Sequence, residues 1–150
     1  MRIVFDVTPL SHPRTGVGNY VLGSLTGLAE VAAGNHELVA WAPTSAAGAR
    51  LVGEAIDGIP VERRIVRLPF AHAWRTVWSR AGRPTAERFV GPFDALHFSD
   101  WMFPPQRSGV RSTMIHDLVP LRFPEWTMAR TRSMHAAKYR NAARTCDVLT

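Results

Sequence analysis

Two neighbouring residues with complementary chemistry sit in the run Met114-Ile115-His116-Asp117-Leu118-Val119-Pro120-Leu121. An imidazole in that place can pass a proton or bond a sugar hydroxyl, and a carboxylate beside it can cap the following segment. A histidine held structurally at a strand end accounts for the same residues. A second group is Thr15-Gly16-Val17-Gly18-Asn19-Tyr20, which follows a β-rich N-terminus. Glycines at a helix start let a diphosphate approach free N–H groups and the positive end of the helix dipole. The alternative is an ordinary strand-to-helix loop with Thr15 as N-cap. The pattern also departs from a dinucleotide fingerprint, because Val21 stands where the third glycine belongs. Third comes Ser99-Asp100-Trp101-Met102-Phe103-Pro104-Pro105. Its rings could stack on a sugar face while Ser99 and Asp100 bond hydroxyls, or the segment is a rigid surface loop.

These groups need strands to carry them. Short β-rich runs occur at residues 2–7, 37–41, 61–68, 95–98, 111–115 and 147–150, with helix-length segments between most of them. Val17, Tyr20, Val21, Leu28 and Val31 recur at helical spacing, as do Phe70, Trp74, Val77, Trp78 and Ala81, and residues 126–144 contain neither Gly nor Pro. Alternating strands and helices imply an α/β fold, a Rossmann-like doubly wound, mostly parallel sheet flanked by helices. In such a sheet, ligands bind beyond the carboxyl ends of the strands, where His116 and Asp117 fall.

The chain has 150 residues, 46% hydrophobic and 20% charged, enough for one core and too apolar for disorder. One cysteine excludes an internal disulfide, and the histidines show no metal-ligand spacing, so no metal or other cofactor is expected. The net charge is +6, and Lys138 is the only lysine in a set of basic residues that are otherwise arginines. Such a balance fits phosphorylated small molecules, an anionic surface or nucleic acid. The arginines are scattered without a nucleic-acid-binding motif, so no nucleic-acid partner is expected. The absence of a membrane-length apolar run or a signal peptide predicts a cytoplasmic chain. The segment Phe70–Arg83, with Trp74, Trp78, Arg75, Arg80 and Arg83, could make peripheral contact with the inner face of a membrane or be the core face of a helix. No Asp-x-Asp, Gly-x-Ser-x-Gly or P-loop lysine occurs.

Taken together, Thr15 to Tyr20, His97-Phe98-Ser99 to Pro104-Pro105, His116-Asp117-Leu118-Val119-Pro120-Leu121-Arg122-Phe123-Pro124-Glu125 and Ala143 to Thr150 resemble the N-terminal half of retaining GT-B glycosyltransferases of the large mannosyl and glucosyl transferase group. The resemblance implies a metal-free enzyme that moves a sugar from a nucleotide diphosphate donor to a saccharide or lipid-linked acceptor. It places Gly16, Val17 and Gly18 against the donor diphosphate, His116 by the transferred sugar with Asp117 supporting its loop, and Asn19, Tyr20, Ser99 and Trp101 toward the acceptor. It also implies that residues 1–150 form a single acceptor-side domain, cut near its C-terminal end and lacking the donor-gripping second domain. Without that domain the chain alone is expected to be inactive. A non-catalytic acceptor- or lipid-binding remnant of such an enzyme is the other reading.

Overall fold

A computed structural model describes all of residues 1–150. Six parallel strands form one sheet in the order β3-β2-β1-β4-β5-β6: β1 is Arg2–Asp6, β2 Glu37–Thr44, β3 Glu62–Arg67, β4 Ala95–Phe98, β5 Val110–Thr113 and β6 Val148–Leu149. The helices are α1 (Gly16–Ala32), α2 (Ala46–Ala55), α3 (Ala71–Ala81), α4 (Glu87–Val90), α5 (Val119–Arg122) and α6 (Ala129–Thr145). This is the Rossmann-like α/β architecture that the strand and helix alternation predicts.

Strand alternation divides the core. On one face Phe5 and Val7 join Leu38, Ala40 and Ala42 against Val21 and Leu25 of α1 and Val52 of α2. On the other, Val4, Val39, Trp41 and Leu96 pack against Trp78 of α3 and Val90 of α4. Successive residues of a strand point to opposite faces, so a strand apolar at every position is one covered on both sides. β2 runs three residues past the predicted Trp41 and takes in Pro43. Its pairing with β1 ends at Trp41, so beyond that residue β2 has a partner only in β3, and a proline without an N–H is tolerated.

The helices begin where side chains accept their free N–H groups. Thr15 Oγ1 accepts from Gly18 N at 3.3 Å to start α1, and Ser45 Oγ accepts from Gly48 N at 3.1 Å to start α2. Two expected apolar faces and one helix start are corrected. Val31 is 78% exposed, because the buried stripe of α1 runs through Val21, Leu25, Ala29 and Ala32. Phe70 lies outside α3 as its left-handed N-cap residue and is 89% exposed, and Val77 is also exposed. The helix expected over residues 126–144 begins at Ala129, after a tight turn over Pro124–Trp126.

The proposed membrane-facing cluster of Phe70–Arg83 is divided in the same way. Trp78 packs edge-on against Trp41 at 5.8 Å inside the core, and Arg75 is 2% exposed, so neither is presented to a surface. Trp74 lies beside Trp78 and Phe89, which makes the two tryptophans a core face. No helix is long and apolar enough to cross a membrane.

Candidate functional site

The chain leaves β1 toward β2 on one side, while β4 lies on the other. The carboxyl ends of β1 and β4 therefore border the crevice at which a doubly wound sheet binds ligands. β1 ends in Asp6 and leads through a turn at Thr8–Ser11 to α1. β4 leads into Ser99-Asp100-Trp101, and β5 into Met114-Ile115-His116-Asp117. A cavity of about 110 Å³ opens here, lined by Val17 of α1, Ser99, Asp100 and Trp101 after β4, His116 after β5, and His135, Lys138 and Tyr139 of α6.

One carbonyl organises this cavity. The Ser99 oxygen accepts from His116 Nε2 at 2.9 Å and from Lys138 Nζ at 2.9 Å, and Lys138 also donates to the Met114 carbonyl at 2.8 Å. Lys138 thus clamps the carboxyl ends of β4 and β5 together. Because a carbonyl only accepts, His116 carries its proton on Nε2, and the neutral ring keeps Nδ1 as an acceptor. Partial burial, opposed by the Ser99 bond and reinforced by the Lys138 charge, holds the His116 pKa below its ordinary value, so the neutral ring prevails at pH 7. Tyr20 meets this imidazole edge-on at 5.2 Å, and its hydroxyl lies 3.5 Å from His97 Nε2. His97 stacks on Phe5, bonds Ser112 Oγ through Nδ1 at 2.9 Å, and has its pKa pushed down to about 4 by burial and by the charge of Lys138.

Asp117 supports the loop. Its Oδ1 accepts from Val119 N at 2.9 Å, and its backbone oxygen accepts from the Tyr139 hydroxyl at 2.9 Å. That hydroxyl, having given its own proton, accepts from His135 Nδ1 at 3.0 Å.

Buried charge lies in and behind the cavity wall. Asp6 is fully buried; Thr8 donates to its Oδ1 through backbone and hydroxyl, and burial raises its pKa to about 6. Arg75 is held over the Trp101 ring at 5.4 Å and feels the charges of Asp6 and Asp100. Lys138 is 3% exposed, and burial lowers its pKa to about 8 although Asp100 and Asp6 favour the charged form. Asp6 Oδ2, Arg75 Nη1 and Ser99 Oγ are buried with no hydrogen-bond partner, an unusual concentration of unspent polar capacity at one sheet edge. No group of three or more His, Cys, Asp or Glu side chains is arranged to hold a metal ion.

The structure therefore brings His116, Tyr20, Ser99 and Trp101 together, with Val17 in the same wall and Asp117 behind it. It separates Asn19, which is exposed and does not line the cavity. The glycines expected at the diphosphate differ in what they offer. Gly16 is exposed, a Cβ there would meet nothing within 4 Å, and by helix geometry the N–H groups of Gly16 and Val17 have no partner inside α1. Gly18 is buried, its N–H is taken by Thr15, and a Cβ there would face Arg14 and Leu10 of the same chain. Only Gly16 and Val17 thus offer the amides that an anion needs. Of the aromatic lip, Trp101 and Phe103 border open space, while Met102 is core.

Residue types and spacing did not point to Asp6, Arg75, His135, Lys138 and Tyr139. One signal was readable: the only lysine of an arginine-rich chain stands where a compact ammonium, rather than a planar fork, joins two carbonyls. The chain matches no protein-family profile, no curated protein and no solved structure.

Proposed function

We propose that the chain is the acceptor-side domain of a retaining, metal-free glycosyltransferase that uses a nucleotide diphosphate sugar. The observation that carries this reading is the cavity at the crevice between β1 and β4, where a neutral His116 with a fixed tautomer meets Tyr20, Ser99, Trp101 and the first turn of α1. A pocket that mixes imidazole, phenol, hydroxyl, carboxylate and ammonium suits a polyhydroxylated ligand, whose hydroxyls both donate and accept.

In this reading His116 Nδ1 accepts a hydrogen bond from a hydroxyl of the transferred sugar, and the amides of Gly16 and Val17 face the leaving diphosphate. Charge grows on that diphosphate as the anomeric carbon–oxygen bond breaks, so fixed dipoles there favour the transition state over the ground state. The acceptor oxygen bonds the anomeric carbon on the same face, and its proton passes to the departing phosphate oxygen. No pair of catalytic carboxylates is then required. The exposed apolar residues Leu118, Leu121, Phe123, Trp126 and Met128 follow β5 at this same edge and supply a surface on which a donor-binding domain would close.

Amide NMR titration of the chain with UDP-glucose and GDP-mannose, and separately with methyl mannoside, tests the proposal. Weak, saturable shifts are expected at Gly16, Val17 and His116. No shifts at millimolar sugar nucleotide, or shifts confined to other parts of the sheet, would remove the glycosyl-transfer reading.

A further inference from the structure

A second, larger recess adjoins the His116 cavity and shares Trp101 with it. It runs between α3 and α6 with a volume of about 430 Å³, within the range of roughly 300–1,000 Å³ typical of small-molecule sites. Its apolar surface comes from Trp101 and Phe103, from Ala73 and Val77 of α3, and from Met134 and Ala137 of α6.

Charge here is of one sign. Arg80 from α3 and Arg130 from α6 line the groove, and no Asp or Glu does. Neither arginine is in a salt bridge. The side-chain bond of Arg130 goes to His72 Nε2 at 3.3 Å, and burial together with the charges of Arg75 and Arg130 holds that histidine neutral. The buried Arg75 guanidinium over Trp101 adds a third cation behind the groove wall. The aliphatic walls of Val77, Met134 and Ala137 suit hydrocarbon, and guanidinium groups without a carboxylate partner repel cations and attract phosphate, whose oxygens match their donor fork. This combination selects a molecule that is apolar along its length and anionic at one point.

We propose that the α3–α6 groove binds the phosphate ester of an apolar chain, with the chain between Val77 and Met134 and the phosphate on Arg80 and Arg130. This deepens the glycosyl-transfer reading and rests on it in one respect: if that reading holds, the occupant is the acceptor or its carrier, because Trp101 joins the groove to the His116 cavity. The binding site itself stands on the groove alone.

Geranyl phosphate, kept below its aggregation concentration, is the probe, with geraniol as the uncharged control. Trp101, one of five tryptophans, lines the groove and contributes a fluorescence signal of uptake, and calorimetry supplies the affinity. Geranyl phosphate should bind saturably and geraniol at least tenfold more weakly. The Arg80→Gln/Arg130→Gln pair should weaken geranyl phosphate by roughly tenfold or more, as expected for losing charged hydrogen bonds, and leave geraniol unchanged. Ala137→Trp, shown to be folded by circular dichroism, should abolish uptake of both by filling the groove. Equal affinity for the two probes, or full affinity in either variant, would overturn the proposal. So would sedimentation with phosphatidylglycerol vesicles accompanied by no uptake of the monomeric phosphate, which would assign the cations to a membrane surface. Retained geranyl phosphate binding in a chain that gives no sugar-nucleotide shifts would keep the groove and discard glycosyl transfer.

Discussion

Lys138 offers a quantitative test of how the sheet edge is held. Its ammonium is 3% exposed and donates to the carbonyls of Ser99 and Met114, yet its pKa falls to about 8, so burial outweighs the bonds and the nearby carboxylates. In the unfolded chain the amine titrates near 10.4. Below pH 8 both states carry the proton, and the folded state bears the full cost of the buried charge. Between about 8 and 10.4 the unfolded chain holds a proton that the folded one has released, so stability rises with pH. Integrated from pH 7 to pH 10, this linkage amounts to about 2 kcal/mol. Lys138→Met removes the titration while keeping the volume of the stem. Urea unfolding of both proteins at intervals over that range should give stabilities whose difference shifts by about 2 kcal/mol in favour of the wild type as pH rises. The background is unusually clean, because no other lysine titrates there and the two tyrosines and one cysteine are common to both chains. Parallel stability curves would refute the reasoning, since they would mean that Lys138 is solvated in the folded protein.

The glycines separate folding from ligand effects. Gly48→Ala would drive a Cβ into Thr44 Oγ1 and to 2.8 Å from Ser11 Cβ, and should cost about 1–3 kcal/mol in chemical denaturation. Gly16→Ala meets nothing and should match or slightly exceed the wild-type melting temperature, so any loss of sugar-nucleotide NMR shifts in that variant reports on the ligand. Thr15→Ala removes the cap of α1 and should lower stability by about 1 kcal/mol while leaving the α3–α6 groove unaffected. Side-chain nitrogen NMR of His116 at pH 7 should show the Nε2–H tautomer of a neutral ring, titrating below pH 6.5; an Nδ1–H signal would disprove the Ser99 bond.

The α/β architecture is legible in the alternation of β-rich runs with helix-length segments, most clearly at β1 and β2, whose central residues are apolar and buried on both faces. Boundaries shift where pairing rather than propensity decides, as at Pro43. Periodicity misplaces Val31, Phe70 and Val77 because an apolar letter records what a residue could bury and is silent about which neighbour arrives to bury it. The His116 group is legible because it follows a strand directly, and strand ends in a parallel sheet share one edge. Lys138 and Arg75 are not: Lys138 lies on a helix rich in polar residues, and Arg75 sits one residue after Trp74, where its charge reads as the polar side of an amphipathic helix. Their burial is decided by the distant strand ends over which those helices lie.

Helices α1 and α6 are equal in length at seventeen residues, yet α1 buries Val21, Leu25, Ala29 and Ala32, whereas α6 fully buries only Lys138 and Ala142. α1 is held to the domain by hydrocarbon, while α6 buries less of it and adds hydrogen bonds from Lys138 and Tyr139 to the carbonyls that follow β4 and β5. Segments with little buried apolar contact open at low free energy, well below the cost of global unfolding. The wall that α6 gives to the His116 cavity and the groove should therefore open at lower free energy than α1. Its amides should exchange with solvent sooner than those of α1, and a ligand wedged between α3 and α6 would slow them, so occupancy at the groove would be felt at Ser99 as a change in tempo without a change in shape.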